Sequence, residues 1–273
     1  MSSVAAVQVR VDDKETADER VDRVLTMLRE TCRPADLVLL PELWPVGAFS
    51  LDRVLSWAQP IDGPFAESMA TLARDWGAVL HAGSFPERHA GGVSNTSIVF
   101  GPDGDLLTSY RKIHLFGFDA GEAAAVSAGS DVAVLQTPLG ITGLTTCYDL
   151  RFPELYRHLT DAGAHAFLIP AGWPAERIGH WRVLAQARAI ENQAVVVAAN
   201  AVGVSGGVTM GGRSMVIAAD GTVVVEADGT DEQILSADID PDHLAAWRAE
   251  FPALRDRRSW LSAPRSGTDP TQG

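Results

Sequence analysis

Short, wholly apolar runs alternate along this chain with longer stretches of helical period. Val4-Ala-Ala-Val-Gln-Val9 and Leu37-Val-Leu-Leu40 have the pattern of strands covered on both faces. Ala166-Phe-Leu-Ile-Pro170 and Ala194 to Asn200 read the same way. Val21, Val24, Leu25, Leu28 and Cys32 fall on one side of a helix predicted from Glu15 to Cys32. Phe65, Met69, Leu72, Ala73 and Trp76 mark a second helix. Asp62 or Gly63 can cap it, Pro64 suits its first turn, and Gly77 ends it. Phe152, Leu155, Tyr156 and Leu159 mark a third, ended by Gly163. Trp181, Leu184, Ala187 and Ile190 mark the apolar face of a long helix from Gly179 to Gln193. A last helix carries Pro241 in its first turn and Leu244, Trp247 and Phe251 on one face.

The remaining β-prone runs pair as hairpins. Asn95 to Phe100 and Leu106 to Arg111 flank Gly101-Pro-Asp-Gly104, and Val132 to Thr137 and Ile141 to Thr146 flank Pro138-Leu-Gly140. Ser214 to Ile217 and Val223 to Glu226 flank Ala219-Asp-Gly-Thr222. Val79 to Gly83 and Gln233 to Asp238 complete the strands. Ser97-Ile-Val-Phe-Gly-Pro-Asp-Gly104 is echoed by Ser214-Met-Val-Ile-Ala-Ala-Asp-Gly221, and each hairpin follows a strand–helix stretch. That predicts two similar α/β halves rather than a short-period solenoid. Two mixed sheets, each covered by helices on its outer face, fit the pattern. No Pro- or Ser-rich linker divides residues 1–262, which read as a single domain. Residues 263–273 lack periodicity and read as a flexible tail.

Composition narrows the function classes. The 273 residues carry a net charge of −13, which argues against nucleic acid and anionic membrane surfaces as partners, since both favour a basic face. Hydrophobic content of 46% is ordinary for a globular chain. There is no basic segment leading into an apolar stretch at the start and no apolar run of about 18 residues, so the expected location is cytoplasmic. The two cysteines are then expected as free thiols, Cys32 as a core residue of the first helix.

Three polar residues stand where apolar segments end. Glu42 follows Leu37-Val-Leu-Leu-Pro41, Lys112 follows Ser109-Tyr-Arg111, and Cys147 follows Gly143-Leu-Thr-Thr146. Clefts in open α/β sheets form at the carboxyl ends of strands. Singly, each residue has an ordinary reading: a turn acid, an edge charge, a packed thiol. Together they supply a nucleophile, a base for its proton and a cation that would favour the thiolate and later an oxyanion. The backbone N–H of Tyr148, next to the thiol, is a further oxyanion donor.

The quoted runs carry a resemblance. Leu39-Leu-Pro-Glu-Leu43, Tyr110-Arg-Lys-Ile-His-Leu-Phe116 and Cys147-Tyr-Asp-Leu-Arg-Phe-Pro-Glu-Leu155 resemble the nitrilase superfamily of carbon–nitrogen hydrolases, in order and in spacing. Asn95-Thr-Ser and Ala187-Arg-Ala-Ile-Glu-Asn-Gln193 resemble further family blocks, and Gly211-Gly-Arg-Ser-Met215 does so loosely. The likeness runs from Val4 to Trp260. It implies a four-layer α-β-β-α sandwich, with Glu42 as general base, Lys112 as oxyanion-stabilising cation and Cys147 as nucleophile. Glu122 matches a second family glutamate that positions lysine and substrate, although Ala128-Gly129 stands where the family has a Pro-Gly or similar turn.

The expected reaction is cofactor-free, metal-free, thiol-dependent hydrolysis of a small carboxamide to acid and ammonia through a cysteinyl thioester. The run after Cys147 resembles the amidase-type branch, acting on ω-amides of small oxo acids or deaminated glutathione. Carbamoyl or nitrile hydrolysis by the same trio is the alternative, and a non-catalytic binding protein is a third. The resemblance also implies a homodimer paired through helices, or a higher homo-oligomer. Trp173 is a candidate for lining the pocket, Arg177 for meeting a substrate carboxylate, and Arg151 with Glu154 for an ion pair near the nucleophile turn. His114 and His180 show no metal-ligand spacing, and no phosphate-cradling Gly-rich loop follows a strand.

Overall fold

A computed structural model describes residues 1–31, 35–117 and 121–258. Two six-stranded sheets form its centre. The first runs, in spatial order, Gln233–Ile239, Ser2–Gln8, Leu37–Leu39, Val79–His89, Gly92–Phe100 and Leu106–Arg111. The second runs Ala133–Thr137, Gly140–Leu144, Ala166–Ala171, Val195–Asn200, Met215–Ile217 and Val223–Glu226. In both, the second, third and fourth strands are mutually parallel and the others are antiparallel. The echo between Ser97 and Ser214 follows, because each belongs to the fifth position of its sheet's order or its threshold.

The apolar runs are buried on both sides, as their lack of alternation predicts. Val4, Ala6, Leu37 and Leu39 face Leu144, Ala166, Leu168 and Val197 across the gap between the sheets. The alternate residues face outward onto helices. Ala5, Val7, Val38 and Leu80 pack on Val24 and Leu28 of Ala17–Thr31 and on Phe65, Met69 and Leu72 of Pro64–Trp76. Phe167, Ile169 and Val196 pack on Leu155 and Leu159 of Pro153–Asp161 and on Trp181 and Ala185 of Ile178–Asn192. The result is the α-β-β-α sandwich. Each fully buried aliphatic side chain of this kind contributes about 1.5–3 kcal/mol of transfer free energy.

Helix ends follow local chemistry. Gly63 and Pro64 open Pro64–Trp76, and Gly77 closes it in the left-handed conformation at φ 60°. Thr16 and Glu19 exchange side-chain-to-backbone bonds at the start of Ala17–Thr31. Cys32, expected on that helix, and the expected tail 263–273 lie outside the described residues. Among the described residues no helix is long and apolar enough to cross a membrane.

Several expectations need correction. The inward face of Ile178–Asn192 is Trp181, Ala185, Arg188, Ala189 and Asn192, whereas Ile190 is 55% exposed and Leu184 and Ala187 are half-buried. The sequence pattern misled because two inward positions are polar. Arg188 is satisfied there by the Leu150 carbonyl and Glu191. In Pro241–Glu250 only Leu244 is buried, and Trp247 stacks on an exposed Phe251. Val79–His89 runs well past Gly83, through an irregularity between His81 and Ser84. Two small features were not anticipated, the helix Leu51–Ser56 and the hairpin of Val202–Ser205 with Val208–Gly211. That hairpin joins Arg10–Val11 in a three-stranded sheet.

The bend at Gly83 seats the Pro41–Leu43 turn. Gly83 has φ 72°, and a Cβ there would lie 2.0 Å from the Pro41 carbonyl oxygen. Gly83→Ala is expected to cost more than about 1 kcal/mol in urea unfolding, since both the backbone angle and the space exclude a methyl group. Wild-type stability of that variant would contradict this close packing.

Candidate active site

Four chain segments converge where strands of both sheets end. Glu42 lies three residues beyond Leu37–Leu39, in a turn held by the irregular middle of Val79–His89. There Ser84 N–H donates to the Pro41 carbonyl at 3.2 Å, and Leu43 N–H donates to Ser84 Oγ at 3.0 Å. Leu43 takes φ 43°, in the left-handed region. Lys112 follows Leu106–Arg111, and its N–H donates to the Asn95 carbonyl at 2.9 Å. Glu122 opens the short helix Glu122–Ala125.

Cys147 begins a 3₁₀ turn, Cys147–Arg151, just past Gly140–Leu144, and has φ 47°. That angle is strained for a residue with a Cβ. The turn is held by Asp149, which is fully buried and accepts four bonds: from Thr146 N–H at 2.9 Å, Tyr110 O–H at 2.7 Å, His114 N–H at 3.0 Å and the His114 ring Nδ1 at 2.7 Å. Tyr110 and His114 bracket Lys112 in sequence, so one carboxylate ties the thiol's turn to the lysine's segment.

The side chains close into a buried cluster. Lys112 Nζ donates to Glu42 Oε1 and Glu122 Oε2, each at 2.7 Å. Asn95 Nδ2 donates to Glu42 Oε1 at 2.8 Å and Glu122 Oε1 at 2.7 Å. Glu42 Oε2 receives Gly172 N–H at 2.9 Å, and Glu122 Oε2 receives Phe116 N–H at 2.9 Å. Glu42, Lys112 and Glu122 are all buried, two anions sharing one cation. Burial alone would lower the Lys112 ammonium, but the Glu122 and Glu42 carboxylates outweigh it and hold it well above the ordinary lysine range.

Lys112 favours the Cys147 thiolate, as expected, but it is outweighed. Burial, then the Glu42 charge, push Cys147 well above the ordinary thiol range, and Lys112 offsets this only in part. Burial is the larger cause, and the Lys112 charge that would offset it also faces two carboxylates.

These residues floor a cavity of about 240 Å³. Tyr148, Trp173 and Arg177 line it, as do Arg151 and the rings of Phe49 and Phe116. Trp173 is seated by Asn200, whose Oδ1 accepts its N–H at 2.6 Å. Arg177 lies 5.7 Å from the centre of the Phe116 ring, and its one carboxylate partner among the described residues is the exposed Glu176, at 3.2 Å. Arg151 does not pair with Glu154. Its guanidinium lies 4.7 Å from the Trp173 ring centre and 3.4 Å from His180 Nδ1, on the pocket side of the turn. Among the described residues no group of three or more His, Cys, Asp or Glu side chains could hold a metal.

Sequence reasoning missed Asn95 and Asp149 as site residues. Asn95 stood in a quoted block, and an amide inside an otherwise β-prone run was the available signal. Asp149 lay inside the Cys147 run, but three of its four donors come from Tyr110 and His114, which are remote in sequence.

Residues 3–249 match the family described as carbon-nitrogen hydrolase. A protein described as 2-oxoglutaramate amidase from Paenarthrobacter nicotinovorans is 43% identical, covering 97% of this chain and 92% of that protein. An omega-amidase of Homo sapiens is 34% identical over 96% of this chain and 98% of that protein. Among solved structures, a CN-hydrolase superfamily protein from Xanthomonas campestris with an arsenic adduct in its active site superposes with TM-score 0.87. It is 33% identical and covers 96% of this chain and 99% of that one.

Alkylation tests the state of the thiol. Iodoacetamide labelling of the Cys147 peptide, read by mass spectrometry without substrate, is expected to keep accelerating with pH beyond about 8.5, the ordinary thiol midpoint. A plateau at or below that pH would show a thiolate already favoured at rest.

Proposed function

The chain belongs to the carbon–nitrogen hydrolase family and is an amide-hydrolysing enzyme, and from that premise we propose that it cleaves the terminal carboxamide of a short amide that carries a carboxylate at its other end. The observation that carries this reading is the closed cluster of Glu42, Lys112, Glu122 and Cys147 at the floor of a small cavity. Two arginines line that cavity, and no carboxylate other than exposed Glu176 pairs with them among the described residues. The likeness to proteins described as 2-oxoglutaramate amidase and omega-amidase supports the same substrate class.

In the proposed mechanism Cys147 Sγ attacks the amide carbonyl as Glu42 takes the thiol proton through Oε2. The negative charge that sat on Glu42 moves to sulfur and then to the carbonyl oxygen. Lys112, relieved of one anion, stabilises that oxyanion together with the Tyr148 N–H. The cluster keeps a net charge of −1 throughout, so no step introduces a new buried charge. Glu42 returns the proton to the departing nitrogen, ammonia leaves, and a thioester remains. Glu42 then takes a proton from water, whose oxygen attacks the thioester, and protonates the leaving thiolate, giving the carboxylic acid and the resting thiol. Glu122 holds Lys112 in place. Trp173 and the neighbouring rings exclude water from the acyl portion, and Arg177 meets the distal carboxylate.

Ammonia release from matched amides tests this reading. Wild type is expected to turn over 2-oxoglutaramate faster than a neutral aliphatic amide of similar length, and faster than N-carbamoyl amino acids or nitriles. Cys147→Ala is expected to abolish release, and Glu42→Gln to lower kcat by about 10²–10⁴-fold. Arg177→Leu is expected to raise KM for the carboxylate-bearing amide about tenfold or more, leaving the neutral amide unchanged, as loss of a charge-assisted hydrogen bond requires. Equal effects on both amides would remove Arg177 from carboxylate recognition. Activity in Cys147→Ala would end the thiol mechanism.

A further inference from the structure

Asn95 is the one member of the buried cluster to which the steps above give no work. It sits within Gly92–Phe100, is buried, and its backbone carbonyl accepts the Lys112 N–H. Its side-chain orientation is determined by charge. The atom facing two carboxylate oxygens must be the NH2 group, because the amide oxygen there would be repelled. Asn95 Oδ1 has no hydrogen-bond partner among the described residues, so the side chain is held by Glu42 and Glu122 and by nothing competing.

Two consequences follow for the reaction. Glu42 Oε1 takes donors from both Lys112 and Asn95, whereas Oε2 takes only the Gly172 N–H. The oxygen left with accepting capacity is Oε2. Second, Asn95 links the two acids without charge. A cation at this position would bring Glu42, Glu122 and the cations to zero net charge and weaken the base. An apolar residue would leave two buried carboxylates short of a donor, and each would then hold a proton more readily.

We propose that Asn95 is a positioning residue that bridges Glu42 and Glu122 without neutralising them, so that Glu42 presents Oε2 to the Cys147 thiol as a competent base. The assignment rests on the amidase reading above. It concerns the geometry and basicity of Glu42, not contact with substrate.

The test is the pH dependence of kcat and kcat/KM for wild type, Asn95→Ala and Asn95→Ser, each normalised to the folded fraction read from circular dichroism during urea unfolding. That normalisation removes any misfolded fraction. Asn95→Ala is expected to lose about 10²-fold in kcat, the scale of a small misplacement of a catalytic group, with KM changed only a few-fold. Its acid limb of kcat/KM is expected to move to higher pH, because carboxylates deprived of a donor release their proton later. Asn95→Ser, which keeps one short donor, is expected to fall between the two. Wild-type kcat in Asn95→Ala, or a lower kcat with an unmoved acid limb, would overturn the proposal and leave Asn95 a packing residue. A wild type that releases no ammonia from any of the amides would remove the amidase premise, and a working wild type separates that failure from this one.

Discussion

The buried ion cluster of Glu42, Lys112 and Glu122 is the interaction on which the rest of this site depends. Three charges are removed from water in one place, and the two carboxylates are affordable only because the Lys112 ammonium lies 2.7 Å from each. Removing one partner from such a group typically costs about 3–5 kcal/mol, because the charge left behind is buried and unmatched. The cluster also draws its members from distant parts of the chain: a turn after one parallel strand, the end of an edge strand, and a short helix. Leu37–Leu39 and Leu106–Arg111, the third and sixth strands of the first sheet, must therefore be assembled into that sheet before it can form. Fold and charge pairing specify each other here.

Strain sits beside that cluster and is offset locally. Leu43 and Cys147 both hold positive φ, at 43° and 47°. Backbone of this kind costs on the order of 1–3 kcal/mol per residue and persists where its surroundings over-determine it. Around Leu43 the constraint is Ser84 and the Gly83 bend. Around Cys147 it is Asp149 with its four donors. The thiol is consequently aimed by a rigid turn and not by a mobile loop, and the lysine segment is bolted to the same carboxylate. Burial and the Glu42 carboxylate beside it push the thiol's pKa up within this arrangement.

Much of the sandwich was legible in the sequence because doubly covered strands leave continuous apolar runs, and Leu37–Leu40 and Ala166–Pro170 are such runs. The repeated hairpin at Ser97 and Ser214 exposed the two-fold plan of the sheets. What was not legible depended on partners remote in sequence. Ile178–Asn192 was assigned the wrong inward face because Arg188 and Asn192 are buried against groups that only the fold supplies. Glu42, Lys112 and Cys147 stood out as polar ends of apolar runs, Glu122 only through the family resemblance, and the structure brings the four together. The upward push on the thiol was not recognisable, since it depends on burial and on the Glu42 carboxylate that the fold brings beside it. Asn95 and Asp149 escaped notice for the same reason: a buried amide or acid has meaning only through its donors and acceptors.

The central claim is that Cys147 forms a covalent acyl intermediate with a carboxylate-bearing amide inside this cluster. Intact-mass spectrometry of the protein quenched in acid during turnover of 2-oxoglutaramate measures it directly. The account predicts an added mass equal to the substrate less ammonia, located on the Cys147 peptide and absent from Cys147→Ala. Steady turnover of the wild type by a route that persists in Cys147→Ala, or an adduct on any other residue, would contradict it.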